Sequence, residues 1–239
     1  MQSHPGLLIS LSGIDGCGKS TIARQLQEYF SSECELPSST LWCKFGAHPF
    51  SKLHISDSIK RASFPAPHPL SFPILGERGG RGVSEGCFGA PFPQTYARIL
   101  LLLHFAHIFF AVRQKLLRGE LIICDRYIFD TAVDLQQEFQ YSTEKIRHIL
   151  SIRWLPMPDF KFWLDLPERA AYQRKPDTES VMFLRERRAL YRAIAQEFDL
   201  HVIDASRPLE LVLNQVVEII DKQLQNEKSN EHEYIQKSV

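Results

Sequence analysis

The stretch "LLISLSGIDGCGKSTIARQL", residues 7–26, determines how the rest of the chain is interpreted. It begins with the apolar run "LLISLS", which is typical of a buried strand and stops at a glycine-rich turn. The residues that follow this turn have apolar side chains at helical spacing. Between the two lies the pattern G-x-x-x-x-G-K-[ST], formed by Gly13, Gly18, Lys19 and Ser20. Strand, glycine loop and helix in this order predict a site for the phosphate groups of a nucleotide.

The residue types of this loop (the P-loop) suit a bound phosphate. Glycines let successive backbone N–H groups turn toward an anion without a Cβ atom in the way, and the next helix points its positive dipole end there. Lys19 would reach the β- and γ-phosphates, and the Ser20 hydroxyl would bind Mg²⁺. The predicted nucleotide-binding residues are Gly13, Ile14, Asp15, Gly16, Cys17, Gly18, Lys19, Ser20 and Thr21.

Composition narrows the class of protein. The chain has 239 residues, of which 44% are hydrophobic, so it can bury a sizeable core as one domain. Its 28 Lys and Arg residues balance 28 Asp and Glu residues, and no overall basic field favours nucleic acid or an anionic membrane. Five cysteines without C-x-x-C spacing suit reduced thiols better than disulfides or zinc.

Two segments of the sequence are candidates for a targeting signal or a membrane span. The N-terminal "MQSHPGLLISLS" has no basic region and no long apolar run, which argues against a secretory signal. The most apolar segment, residues 99–112, is too short to span a bilayer and contains two histidines. It is interpreted as a buried core helix, and the protein is expected to be soluble and cytoplasmic.

Strand-like and helix-like patterns alternate along the chain, which predicts a three-layer α/β fold around a parallel sheet of about five strands. Residues 5–225 are expected to form this single domain. Residues 46–93 are rich in Pro and Gly and predict a long loop, and the polar tail 226–239 is expected to be disordered. The predicted strands are 7–12, 40–45, 121–124, 160–165 and 200–205. The main helices are predicted at 95–117, roughly 130–154, 181–198 and after 207.

The P-loop alone does not separate kinases, GTPases and motors. A GTPase would have an N-K-x-D motif and a D-x-x-G switch after the third strand, but that strand ends in "CDRY". A transport or AAA-type ATPase would have an apolar run ending in Asp-Glu, which is absent from the sequence. Small-molecule kinases are the remaining class.

Three further features favour a kinase. Asp15 lies inside the P-loop, where a carboxylate beside bound phosphates needs a metal or a hydroxyl donor as a partner. Alternatively, Asp15 is only a turn residue. Asp125-Arg126-Tyr127 follows a strand, where Asp can hold Mg²⁺ and Arg can bind a phosphate, unless the two form a structural ion pair. The basic run within residues 167–188 could be a lid that supplies cations, or simply a solvated helix face.

With these motifs, the chain resembles the thymidylate kinase family of nucleoside-monophosphate kinases over most of residues 5–222. The closest part is "VRQKLLRGELIICDRYIFDTA", which resembles that family's helix, its R-G turn, its strand and its D-R-Y/H/F motif. Two more family patterns, "L-D-x-P-x-x-x-A-x-x-R" and "F-L-x-x-x-R-x-x-Y", are matched by Leu164, Asp165, Pro167, Ala171 and Arg174, and by Phe183, Leu184, Arg188 and Tyr191.

The resemblance implies the roles of several residues. The P-loop would bind ATP, with Lys19 on its phosphates, and Ser20 and Asp125 would hold Mg²⁺. Asp15 would face the acceptor sugar or the metal, Arg126 would bind the acceptor phosphate, and Arg174 would belong to a lid, residues 174–188. The implied catalytic residues are thus Lys19, Asp15, Arg126 and Arg174. The helix 95–117 could form a homodimer interface, as in the family.

Departures from the family fall at the acceptor. Asp130 stands where a Ser is usual after "DRY", and Val133-Asp134-Leu135 replaces an Ala-Tyr-Gln stretch. His104 aligns with an arginine that contacts the acceptor, and "KFGAHPF" lacks the arginine of the family's F-P-x-R segment. A branch of thymidylate kinase-like proteins has a D-R-Y-x-x-D-x-x-x-D pattern that this chain matches. The expected acceptor-binding residues are Asp15, Arg126, Tyr127, His104 and Asp130.

Three functions remain open from the sequence. The first is transfer of the γ-phosphoryl group of MgATP to a nucleoside monophosphate, with dTMP as the default acceptor. The second keeps this chemistry but uses another small-molecule acceptor, as the departures suggest. The third is a non-catalytic ATP-binding module whose long loop docks a partner.

Overall fold

A computed structural model of the protein describes residues 6–34, 36–45, 92–151, 155–178 and 180–237. In this part of the chain, five parallel strands form one sheet in the order β2-β3-β1-β4-β5. The strands are β1 (Leu7–Ser12), β2 (Ser38–Trp42), β3 (Leu121–Asp125), β4 (Phe160–Asp165) and β5 (His201–Asp204). The predicted α/β fold with a five-stranded parallel sheet is confirmed.

The middle of the sheet is covered on both faces. Leu8, Ile9 and Leu11 of β1 are completely buried, as are Ile122 and Ile123 of β3. Parallel strands with both faces buried are apolar over nearly their whole length, which is why "LLISLS" and "LIIC" could be recognised without alternation. Since all five strands run the same way, their carboxyl ends meet at one edge of the sheet, where ligands bind in open α/β folds.

Helices form the two outer layers. α1 packs against β2, β3 and α7, while α2 packs on β3 and α6 packs on β4. α3 also packs on α6, and α5 packs on α6. Among the described residues, the helices are α1 (Lys19–Ser32), α2 (Phe92–Leu117), α3 (Ile128–Phe139), α4 (Thr143–Leu150), α5 (Glu168–Arg174), α6 (Val181–Glu197) and α7 (Leu209–Lys237).

The segment 99–112, predicted as a buried core helix, is buried on one face only. Phe105, Ile108 and Val112 are buried against the rest of the fold, whereas Leu102 and Phe110 are more than 60% exposed. The cause is that α2 packs on β3 and α3 with a single side. No helix of the described residues combines the length and the apolar character needed to cross a membrane.

The structure differs from two predicted boundaries. α7 continues to Lys237, although a disordered tail was expected from residue 226. Residues 226–237 contain no Gly or Pro that would end a helix. α2 begins at Phe92 rather than near residue 95. The predicted loop 46–93 otherwise falls on residues 46–91, which lie outside the described residues.

Candidate active site

The P-loop follows β1 and requires glycine at two points. Gly16 has φ 86°, and a Cβ atom there would lie 2.5 Å from the carbonyl oxygen of Ala171. Gly18 has φ 97° and caps α1, but a Cβ there would meet no protein atom within 4 Å. Gly16 is therefore needed for close packing on α5. At Gly18 the left-handed backbone requires glycine, and the adjacent space is open.

Lys19, the first residue of α1, lies inside the loop. Its ammonium group donates hydrogen bonds to the carbonyl oxygens of Gly13 (2.8 Å) and Ile14 (2.9 Å). The residue is only 5% exposed, so its charge is held at the floor of the loop beside the N-terminus of the helix. Both features favour an anion at this point, because an ammonium group and free backbone N–H groups attract the same ligand.

Ser20 and Asp125 form the candidate metal position. The Ser20 hydroxyl donates to Oδ2 of Asp125, which ends β3 and pairs in register with Leu11 of β1. Oδ1 of Asp125 is buried and has no hydrogen-bond partner among the described residues. Carboxylate and hydroxyl oxygens are the ligands that Mg²⁺ prefers, and the unpartnered oxygen fits such an ion. No group of three acidic, His or Cys side chains converges among the described residues.

Asp15 and Arg126 form an ion pair across the same edge of the sheet. Arg126 has φ 71°, an uncommon backbone conformation for a residue with a side chain, and its N–H donates to the carbonyl of Leu11 (3.1 Å). Burial raises the pKa of Asp15, but the charges of Arg126 and Lys19 outweigh this and hold the pKa below its ordinary value of 3.8. Asp15 is therefore ionised at neutral pH.

These groups line one open cavity of about 620 Å³ at the carboxyl edge of the sheet. Its walls include residues 15–22 of the P-loop and of α1, together with Asp125 and Arg126. Arg174 also lines it and donates to the carbonyl of Ala205 (3.2 Å), and Lys175 follows it. The structure thus brings together all four residues predicted as catalytic, namely Asp15, Lys19, Arg126 and Arg174.

Three predicted acceptor residues do not line this cavity. Tyr127 is buried and donates its hydroxyl to the carbonyl of Pro156 (2.8 Å). His104, 1% exposed, has its Nε2 atom 2.9 Å from Oγ1 of Thr131. Asp130 is completely buried and accepts hydrogen bonds from four groups. Their side chains contact protein groups around α3, and the expectation that they bind the acceptor stays a prediction.

The basic run at residues 174–188 is also divided by the fold. Arg188 makes two hydrogen bonds to the Asp165 carboxylate (2.6 and 2.9 Å) and one to Glu168 (3.2 Å). Arg187 is buried and paired with Asp134. Residues 181–188 belong to α6, so the part outside a helix is short. Arg174 and Lys175 are the cations of this run that reach the cavity.

Sequence reasoning did not single out Trp42 and Lys44, which also line the cavity. They lie at and just beyond the carboxyl end of β2. Arg207 of the turn 204–208, which the family resemblance implies would border the adenine, lines the cavity just after β5. Trp42 is 59% exposed, so its ring is accessible from the cavity. The signal in the sequence that could have identified these residues is their position after a predicted strand, since residues that follow parallel strands lie at the same edge of the sheet.

Comparison with known proteins places the chain in a family. The family profile described as "Thymidylate kinase" matches residues 90–216. The chain is 31% identical to "Probable thymidylate kinase 1" of Saccharolobus solfataricus, over 91% of this chain and 98% of that protein. It is 26% identical to "Probable thymidylate kinase" of Methanosarcina mazei (89% and 94% covered) and 27% identical to "Thymidylate kinase" of Xanthomonas campestris (90% and 83%). With these matches, and with a P-loop, Asp125, Arg126 and Arg174 around one cavity, the chain belongs to the thymidylate kinase family.

Proposed function

We propose that the protein transfers the γ-phosphoryl group of MgATP to dTMP, giving dTDP and ADP. The observation that carries the proposal is that Lys19, the Ser20–Asp125 pair and the Asp15–Arg126 pair border a single cavity. A donor and an acceptor site must be adjacent for direct transfer, because the acceptor oxygen attacks the phosphorus atom in line. The relatives' names supply the choice of dTMP.

On the donor side, the P-loop N–H groups and Lys19 would bind the ATP phosphates. Lys19 already lies at the loop floor, so little rearrangement is needed to move its hydrogen bonds from the carbonyls of Gly13 and Ile14 to phosphate oxygens. Ser20 and Asp125 would hold Mg²⁺, which when bound neutralises charge on the phosphate oxygens. Arg174 and Lys175 would close on the same phosphates from the end of α5.

On the acceptor side, Arg126 would bind the monophosphate and Asp15 would orient the sugar. Phosphate binding by Arg126 requires Asp15 to release the guanidinium edge that it occupies, and an ionised Asp15 can then accept a hydrogen bond from a sugar hydroxyl. Lys44 adds a cation where the family's arginine is absent. If so, Lys44→Ala raises the KM for dTMP and leaves the KM for ATP unchanged. Equal changes in both constants would contradict this role.

The buried positions of Asp130 and His104 weaken the argument for a different acceptor. These departures from the family prompted that alternative, but neither side chain lines the cavity and neither would repel or select a ligand by contact. A non-catalytic ATP-binding module is also disfavoured, since a protein that only binds ATP has no need of an acceptor-side arginine next to the donor phosphates.

ADP release tests the proposal directly. Purified protein with MgATP is offered dTMP, dUMP, UMP and CMP in turn, with Lys19→Ala and Lys222→Ala as variants. We expect turnover on dTMP, and a loss of about 10²–10³-fold in Lys19→Ala, as when one oxyanion donor is removed. Lys222, on the exposed side of α7, is the matched control and should keep wild-type turnover. ATP binding without turnover on any of the four would overturn the proposal.

We further infer a cytoplasmic homodimer. The thiols of Cys17, Cys34, Cys43 and Cys124 are all free, which suits a reducing compartment. The dimer would form through α2, whose outer face exposes five large apolar side chains. These residues are Ile99, Leu102, Leu103, Phe110 and Leu117, with exposed fractions of 41 to 76%.

A further inference from the structure

A buried polar cluster lies directly behind the cavity and centres on Asp130. Oδ2 of Asp130 accepts from the Ser12 hydroxyl (2.7 Å) and from the backbone N–H of Tyr127 (3.2 Å). Oδ1 accepts from the Tyr191 hydroxyl (2.7 Å) and from Nη1 of Arg126 (3.3 Å). The donors come from the end of β1, from the turn between β3 and α3, and from α6. One carboxylate therefore joins three parts of the fold.

Arg126 lies between this cluster and the cavity. Its Nη1 atom contacts Asp130 on the buried side, while its Nη2 atom contacts Asp15 on the cavity side. The guanidinium group is planar, so fixing both Nη atoms fixes the plane of the whole group. Only 5% of Arg126 is exposed, and a buried cation needs a buried counter-charge. Asp130 supplies that charge from the side that no ligand can reach.

We propose that Asp130, held by Ser12 and Tyr191, is a positioning residue that sets the guanidinium of Arg126 for the acceptor phosphate. The inference rests on the proposed function, in which Arg126 exchanges Asp15 for a phosphate group. During that exchange Arg126 keeps one fixed counter-charge, and its Nη2 edge stays directed at the cavity. The carboxylate itself never touches the acceptor, because all of its hydrogen-bonding positions face protein donors.

The pattern of donors explains why a carboxylate is required. Each oxygen of Asp130 faces one hydroxyl and one N–H group, from Arg126 or from the Tyr127 backbone. A hydroxyl can turn and accept a hydrogen bond, whereas an N–H cannot. An asparagine at this position would direct its NH₂ group at an N–H in either orientation. Asp130→Asn thus removes the charge and also breaks one contact whichever way the amide is placed.

The experiment is a double-mutant cycle read by dTMP binding in titration calorimetry. Wild type, Asp130→Asn, Arg126→Lys and the double variant are compared, and binding of a non-hydrolysable ATP analogue is measured in each. We expect Asp130→Asn to weaken dTMP binding by roughly tenfold and the ATP analogue by less than twofold, with a double variant no weaker than Arg126→Lys alone. Additive losses, or equal losses for both ligands, would overturn the inference.

Two further variants distinguish a positioning role of Asp130 from a general loss of folding. Tyr191→Phe removes only a hydroxyl donor and should reproduce part of the dTMP defect if Asp130 acts through its orientation. Asp134→Asn, one turn away on α3, breaks the buried pair with Arg187. Among the described residues, Asp134 makes no hydrogen bond or ion pair with Arg126. The variant should lower thermal stability and leave dTMP affinity within about twofold of wild type. A dTMP loss in Asp134→Asn equal to that in Asp130→Asn would mean a purely structural role.

The outcome separates this inference from the proposed function. Wild-type protein that binds dTMP but does not turn it over contradicts the proposed reaction, while the binding cycle still decides the role of Asp130. Turnover on dTMP together with unchanged affinity in Asp130→Asn overturns the inference and leaves the reaction intact. Wild-type protein that does not bind dTMP contradicts both.

Discussion

Gly16 and Gly18 show how single residues of the P-loop serve different purposes. Both have a left-handed backbone, but only at Gly16 would an added Cβ meet another backbone atom, the Ala171 carbonyl at 2.5 Å. The space beside Gly18 is open and belongs to the cavity. One glycine therefore permits packing within the protein, and the other permits the backbone to approach a ligand closely.

This contrast predicts different effects of the same substitution. Gly18→Ala should cost about 1–2 kcal/mol of unfolding free energy, from the left-handed backbone alone. Gly16→Ala should cost more, because the loop or α5 must also move. Both variants should lose ATP binding, which calorimetry would measure beside denaturant unfolding. Equal stability of the two variants would show that the contact with Ala171 is not limiting.

At the scale of elements, α3 and α6 are joined by a buried ion pair. The side chains of Asp134 and Arg187 are only 5% and 6% exposed, and Arg187 also donates to Oε1 of Gln137 (2.9 Å). Burial raises the pKa of Asp134, although the positive charge of Arg187 opposes this. The pair lies where α6 packs on α3.

Removing one partner of this ion pair should lower the free energy of unfolding. Arg187→Met leaves a carboxylate buried without its cation and is expected to lower the unfolding free energy by about 3–5 kcal/mol. The double variant Asp134→Leu/Arg187→Met should recover much of the loss, since no charge remains buried. Arg185→Met, on the exposed side of the same helix, should change stability by less than about 0.5 kcal/mol. Urea unfolding would measure all three, and a double variant less stable than Arg187→Met would contradict the explanation.

For the molecule as a whole, the outer face of α2 is the feature that the described fold leaves uncovered. Leu103, Phe110 and Leu117 are spaced by seven residues, so they lie along one side of the helix. Two copies of such a face can bury each other about a twofold axis. The cavity opens at the carboxyl edge of the sheet, so each subunit would keep its own active site.

The proposed homodimer predicts that substitutions on the outer face of α2 change the mass of the particle in solution. Leu103→Glu/Phe110→Glu places charges in the interface and should convert a dimer into a monomer in analytical ultracentrifugation. Leu211→Glu, at a residue of α7 that is also 44% exposed, is the control and should leave the mass unchanged. Wild-type protein that sediments as a monomer would contradict the dimer.

Several features could be predicted from the sequence because they depend on neighbouring residues. The P-loop with its strand and helix, the five parallel strands and the family motifs are all local patterns, in which spacing along the chain decides the structure. The four predicted catalytic residues, Asp15, Lys19, Arg126 and Arg174, meet in one cavity. Asp15 and Lys19 lie in the loop and the helix start after β1, Arg126 follows β3, and Arg174 ends the short helix after β4, so the parallel sheet brings them to the same edge.

Other features were decided only by the tertiary structure. Asp130 resembled an acceptor ligand in the sequence, but its carboxylate meets Ser12 and Tyr191, which are 118 and 61 residues away. The left-handed backbone of Arg126, which precedes α3, is likewise not revealed by a local pattern. No sequence motif predicts that Lys44 lines the cavity. Long-range packing determines where each side chain points and which groups it contacts. It therefore decides which residues line the cavity and which belong to the buried cluster behind it.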